Sequence, residues 1–213
     1  MFRNLKITFE LDGTGIYYDP CEPIMLDSLL AAAVSRWHVH GEPPARDEEP
    51  LDIPLPLKKW HIDGEWGWHA SALFPVGDTA ESLQYWRKRF RQNRVELSSG
   101  SPNLTNGTYR DWNMPIPLLL VRKMVGYAVG DMGTVRRELR RSIKYLGKKR
   151  AQGHGSVVGI DVEEIEADLS ILSDGKATRW MPKVDGSRLV RPRPPYWNIV
   201  GRKNHCEIGE VMT

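Results

Sequence analysis

Leu5, Ile7, Phe9 and Leu11 alternate with Lys6, Thr8 and Glu10, a period of two that predicts a half-buried first strand. Leu26 to Trp37, LDSLLAAAVSRW, has the spacing of a helix, so strand one leads into helix one. Gly41 to Pro56 holds five prolines and five acids and reads as a loop that opens an insertion at about 41–113. Inside it, Asp63-Gly64 is a hairpin signal, because both residues tolerate the positive φ of a type I′ turn. A two-residue turn pairs Ile62 with Glu65, His61 with Trp66 and Lys59 with Trp68. That register puts Lys59, His61, Trp66 and Trp68 on one face and Trp60 with Ile62 on the other.

Asp78-Thr-Ala-Glu81 has capping-box spacing, and Leu83, Trp86 and Phe90 then mark a helical apolar stripe flanked by Arg87, Lys88, Arg89, Arg91 and Arg94. This predicts a second basic helix within the insertion, either a partner surface or a solvated face. Ser98 to Asn113 reads as a loop and Pro115 to Val129 as a β-rich apolar stretch. Val135, Leu139, Ile143 and Leu146 predict another helix, which the glycine-rich stretch Gly147 to Gly155 ends. Val158, Ile160 and Val162 then alternate on even positions, while Ile165, Ala167 and Leu169 continue on odd ones. The strand's phase is therefore expected to slip at Glu163-Glu164. The C-terminal part, rich in Pro and Arg, is expected to be a partly extended second basic surface.

Charge sharpens this picture around the last helix. Arg136, Arg137, Arg140, Arg141, Lys144, Lys148, Lys149 and Arg150 face one acid, Glu138, a local charge of +7 in a 213-residue chain whose total is +3. The remainder is net acidic, so the cations are gathered in one place, the footprint of a polyanion site. Two rows, Arg136/Arg140/Lys144 and Arg137/Arg141, lie off the apolar stripe and are expected to face phosphates. In Gly147-Lys-Lys-Arg-Ala-Gln-Gly153-His154-Gly155, three glycines free the backbone for close approach while Lys148, Lys149 and Arg150 supply donors. The spacing and the helix-loop-strand order disfavour a mononucleotide P-loop, which runs from strand to helix. A nucleic-acid backbone fits better; the bland alternative is a solvated helix capped by Gly147.

Cys21 and Cys206 are the only cysteines, which excludes a zinc ribbon or a disulfide framework and leaves a single bridge open. The longest apolar runs, Leu29 to Val34 and Ile116 to Val121, are too short to span a bilayer, and a soluble cytoplasmic protein is expected. No metal or other cofactor is implied.

The order strand, helix, hairpin, basic helix, glycine loop, strand is that of a ferredoxin-like (RRM-like) α+β domain. Here it would be one RNA-binding domain over 1–213 with a β-hairpin and helical insertion. Gly147 to Gly155 resembles the glycine-rich loop of the repeat-associated mysterious protein superfamily of CRISPR systems. The opening Leu5 to Leu11 strand and Asp174-Gly-Lys-Ala-Thr-Arg-Trp-Met-Pro182 are similar to the type IV Cascade subunit that caps the 5′ handle of the guide RNA. The resemblance implies a non-catalytic subunit that binds the handle at one end of a backbone filament. Its partners would be backbone and large subunits and, indirectly, target nucleic acid. It carries over Gly147, Lys148, Lys149, Arg150, Gly153 and Gly155, and beside them the preceding helix, Arg179 and Trp180; His154 sits within the same loop.

Three alternatives stay open. Trp66 and Trp68 either stack on bases or fill the core. A metal-independent guide-RNA ribonuclease would use His38, His40 or His154 as acid or base. A protein-only adaptor would present the same basic surfaces to acidic partners.

Overall fold

The computed structural model describes residues 1–38, 48–91, 103–106, 110–148 and 150–212. Its elements are β1 (Arg3–Leu11), α1 (Leu26–His38), β2 (Lys59–Ile62), β3 (Glu65–Trp68), β4 (Phe74–Val76), β5 (Ala80–Lys88) and β6 (Trp112–Leu120). They continue with β7 (Lys123–Gly130), α2 (Met132–Ser142), β8 (Val157–Glu164), β9 (Leu172–Ser173), β10 (Lys176–Ala177), β11 (Arg188–Val190) and β12 (Lys203–His205). The protein is thus mixed α+β, with antiparallel sheets and two α-helices among the described residues.

The central sheet has the order β4-β7-β1-β8, every neighbour antiparallel. The alternation in β1 does what its period requires: Leu5, Ile7, Phe9 and Leu11 are buried and their neighbours are not. That apolar face receives α1 through Leu26, Leu30 and Ala33, and α2 through Val135 and Leu139. Each helix presents an i, i+4 row to the sheet. Asp131 starts α2 as its N-cap, accepting from the Thr134 amide at 2.8 Å.

Three expectations change. First, Ala80–Lys88 is a strand, not a helix: it pairs with β6 from Ala80↔Leu120 to Lys88↔Trp112. Leu83 and Trp86 then fall on opposite faces of the ribbon, so their helical spacing has no common surface to bury. Second, α2 stops at Ser142, with Ile143 extended at φ −93, ψ 109. The chain turns to pair with the coming strand, Val157 N–H donating to the Lys144 carbonyl and Leu146 N–H to that of Gly155. Ile143 and Leu146 therefore reach the core from outside the helix, and Gly147 is not its cap. Third, β8 slips phase at Val158 rather than at Glu163-Glu164. Glu10 opposes Gly159 and Leu11 opposes Val157, leaving Val158 as the extra, exposed residue of a bulge.

The hairpin β2–β3 has the register read from its turn, with Asp63 and Gly64 at φ 50 and 77. The C-terminal part is not a free extended surface. It forms the small hairpins β9–β10 and β11–β12 and packs Trp180 and Val190 on Met25 and Ala72.

Candidate nucleic-acid interface

The glycine loop is tied to the connection that follows β1. Gly155 N–H donates to the Gly15 carbonyl at 2.9 Å, and Tyr17 bridges to Lys148. All three loop glycines have positive φ, for different reasons. A Cβ at Gly155 would lie 2.1 Å from the Leu146 carbonyl oxygen, and one at Gly147 2.7 Å from that of Tyr17. These two let the loop close on its own fold. Gly153, at φ 86, has nothing within 4 Å of a Cβ position, so the space a side chain would fill is open, while its N–H donates to the Arg150 carbonyl at 2.9 Å and its carbonyl accepts from the Thr14 hydroxyl at 3.3 Å. A single 3₁₀ turn, Arg150–Gln152, precedes it and is exposed throughout. Lys148 is exposed, 3.4 Å from Glu22 and 5.4 Å from the Tyr17 ring. Lys149 lies outside the described residues. His154 is buried, its Nδ1 without a hydrogen-bond partner among the described residues.

The helix divides differently from the expected two phosphate-facing rows. Arg136 donates to the Val162 carbonyl at 2.5 Å and Arg140 to that of Ile160 at 2.9 Å, while Lys144 donates to the Arg140 carbonyl. Since β8 is the edge of the sheet, this row covers backbone acceptors on an edge strand. The other row is exposed: Arg137 lies 3.1 Å from the buried Glu138, and Arg141 is engaged as well. Arg140 and Lys144 are exposed as well despite these bonds, so Arg137, Arg140, Arg141 and Lys144 stand beside the loop cations.

The tryptophans separate too. Trp68 is 5 % exposed and belongs to the main core, so it offers no stacking face. Trp66 packs edge-on against it at 5.4 Å and is half-buried, with Lys59 3.9 Å and Arg193 4.1 Å from its ring. Arg179 is fully buried rather than at a surface. It donates to the carbonyls of Trp68, Ala70 and Pro192 and lies 3.4 Å from Asp27. Tyr196 donates to the same Asp27 carboxylate at 2.7 Å. Burial pushes the Asp27 carboxyl up against the attraction of Arg179, and burial, with Asp27 beside it, drives the Tyr196 hydroxyl well above its ordinary value. This buried triad joins the start of α1 to the C-terminal part.

Of the other histidines singled out, His38 is the last residue of α1, and His40 lies outside the described residues. One imidazole-carboxylate pair was not anticipated. His69 Nδ1 lies 3.1 Å from Asp168 and 3.0 Å from the Ser170 hydroxyl, which donates to Asp168 at 2.5 Å. Burial pushes the Asp168 carboxyl up, but hydrogen bonds from His69 and from the Ser170 hydroxyl and amide outweigh it and hold it at about 2. His69 and Ser170 are 101 residues apart, so no local spacing announces the cluster. Among the described residues no cluster of His, Cys, Asp and Glu fits a metal ion, and no helix is long and apolar enough to cross a membrane.

A family model described as CRISPR type IV associated protein Csf3 matches residues 3–207. No curated protein matches the chain.

Proposed function

The chain belongs to the type IV CRISPR associated Csf3 family, which makes it a component of a type IV CRISPR complex, and on that premise we propose that it is the subunit that binds the 5′ handle of the guide RNA and caps the backbone filament. The observation that carries this reading is the loop. It exposes Lys148 and Arg150 on either side of its tip, and at Gly153 the lack of a side chain leaves room for close approach by a phosphate chain. The fold supports it as well. The order β4-β7-β1-β8, with a helix between β1 and β4 and another between β7 and β8, is read as a ferredoxin-like sheet of the repeat-associated mysterious protein superfamily. In this reading β2–β3 and the β5–β6 ribbon are elaborations of one RNA-binding domain.

The subunit holds RNA without cutting it, in the cytoplasm, beside backbone and large subunits, and meets target nucleic acid only through the guide. The test is to isolate the complex from cells carrying the wild-type chain or the His38→Ala/His40→Ala/His154→Ala variant and to sequence the bound RNA. One short constant 5′ end in both is expected. Heterogeneous 5′ ends would overturn handle binding, and uncut precursor with the folded variant would establish the ribonuclease reading instead.

A further inference from the structure

Where Lys148 leaves the glycine loop, a groove of about 880 Å3 opens between the segment entering α1 and the β11–β12 hairpin. Three cations line it, Lys148, Arg188 and Arg202, against one carboxylate, Glu22, which already pairs with Lys148. The Arg188 guanidinium makes no hydrogen bond or ion pair among the described residues and lies 5.3 Å from the Trp180 ring. Among the described residues Arg202 donates only to backbone carbonyls, those of Asn198 at 3.0 Å and Trp197 at 3.3 Å among them, and no carboxylate there neutralises it.

The aromatic lining is fixed from behind. Trp180 and Tyr196 meet edge-on at 5.3 Å, and the Tyr196 hydroxyl is held by Asp27 and Arg179 in the buried triad. At the rim Trp197 stands 48 % exposed, next in sequence to a ring the fold holds rigid. Cations without counter-charges beside an open indole suit a ligand that alternates anions with flat π surfaces, which is a nucleic-acid single strand. An acidic peptide would satisfy the guanidinium groups and leave Trp197 in water.

We propose that this groove takes one unstacked base of the single strand whose phosphates lie on the glycine loop, with Trp197 stacking on the base and Arg188 and Arg202 facing its phosphate. Lys148, shared by loop and groove, makes the two sites continuous. The inference deepens the guide-RNA reading and rests on it.

The test uses the full chain and short single-stranded RNAs of one sequence carrying 2-aminopurine at successive positions. Wild type is expected to quench the probe at one position. Trp197→Ala relieves that quenching and weakens binding about tenfold with the same salt dependence, because stacking releases no counterions. Trp197→Phe keeps most of both signals. Arg150→Ala, in contrast, weakens binding and flattens the salt dependence. Trp197 is half-exposed, so circular dichroism should show each variant folded. Equal RNA affinity for wild type and Trp197→Ala, with no position-specific quenching, overturns the groove assignment and leaves the loop reading standing. A complex isolated from cells with Trp197→Ala that keeps its RNA but lacks a protein subunit makes the groove a protein face and also overturns it. No RNA binding by wild type overturns both.

Discussion

Arg179 shows how a residue type misleads when its surroundings are unseen. In sequence it is one of eight basic residues from Lys176 onward, and a cation so placed reads as surface charge. In the fold it is the largest fully buried side chain among the described residues, with backbone carbonyls, Asp27 and Tyr196 around it. Its partners come from β3 and the segment that follows it, α1 and the C-terminal part, which only the tertiary structure assembles. Removing it strands Asp27 in a dry site, so Arg179→Ala is expected to cost about 3–5 kcal/mol of stability by chemical denaturation. A surface role would make the change nearly neutral to folding. Asp168 gives a second residue-scale prediction. Its folded value of about 2 lies below its ordinary 3.8, so the unfolded chain binds the extra proton between those values. The stabilisation is complete above about pH 4 and is lost as pH falls toward 2. Asp168→Asn should therefore flatten the acid limb of a melting-temperature profile while leaving its slope near neutrality unchanged.

At the scale of elements, periodicity was legible wherever one face is buried by the central sheet. β1, α1 and the β2–β3 turn carry signals their own residues complete. Where pairing with a distant strand decides, local spacing fails. Ala80–Lys88 has a capping box and helix-like spacing, yet β6 offers it nine paired positions. The prolines of β6 fit this arrangement. Leu119 N–H and C=O face away from β5, toward Ile16, so Pro115 and Pro117, in the same alternation, miss their N–H on the side β5 does not use. The basic helix was found in sequence, but its roles were not, since only the packed β8 edge reveals what Arg136 and Arg140 cover. Replacing both by Ala uncovers the Ile160 and Val162 carbonyls. This is expected to lower stability by about 1–3 kcal/mol and to raise self-association through the exposed edge, read by light scattering. The same variant should keep its RNA affinity, and a purely RNA-facing row would give the reverse.

For the whole molecule, the acidic remainder of the chain matters as much as the basic cluster. Glu163 and Glu164 on β8 pair with Lys6 and Arg3, so the sheet edge is locally balanced. Exposed cations also line β5, at Arg87 and Lys88, but Lys148 and Arg150 at the loop continue into Arg188 and Arg202 of the adjoining groove, which gives this side a directed basic path. The glycine loop was legible because glycine spacing is written in the sequence, and type IV membership because the opening strand and the Asp174 to Pro182 segment are contiguous in it. The groove was not, because its walls are far apart along the chain. The central claim is that the loop, not the β8-facing row of α2, carries the phosphates of a single strand. The most direct test is a salt titration of RNA binding by wild type, Lys148→Ala/Lys149→Ala/Arg150→Ala and Arg136→Ala/Arg140→Ala, each shown to be folded. Each phosphate contact contributes about 0.7 to the slope of log K against log salt, so the triple loop variant should flatten it by roughly 2 while the helix variant leaves it unchanged. A wild-type slope in the loop variant, or a flattened one only in the helix variant, would contradict the account.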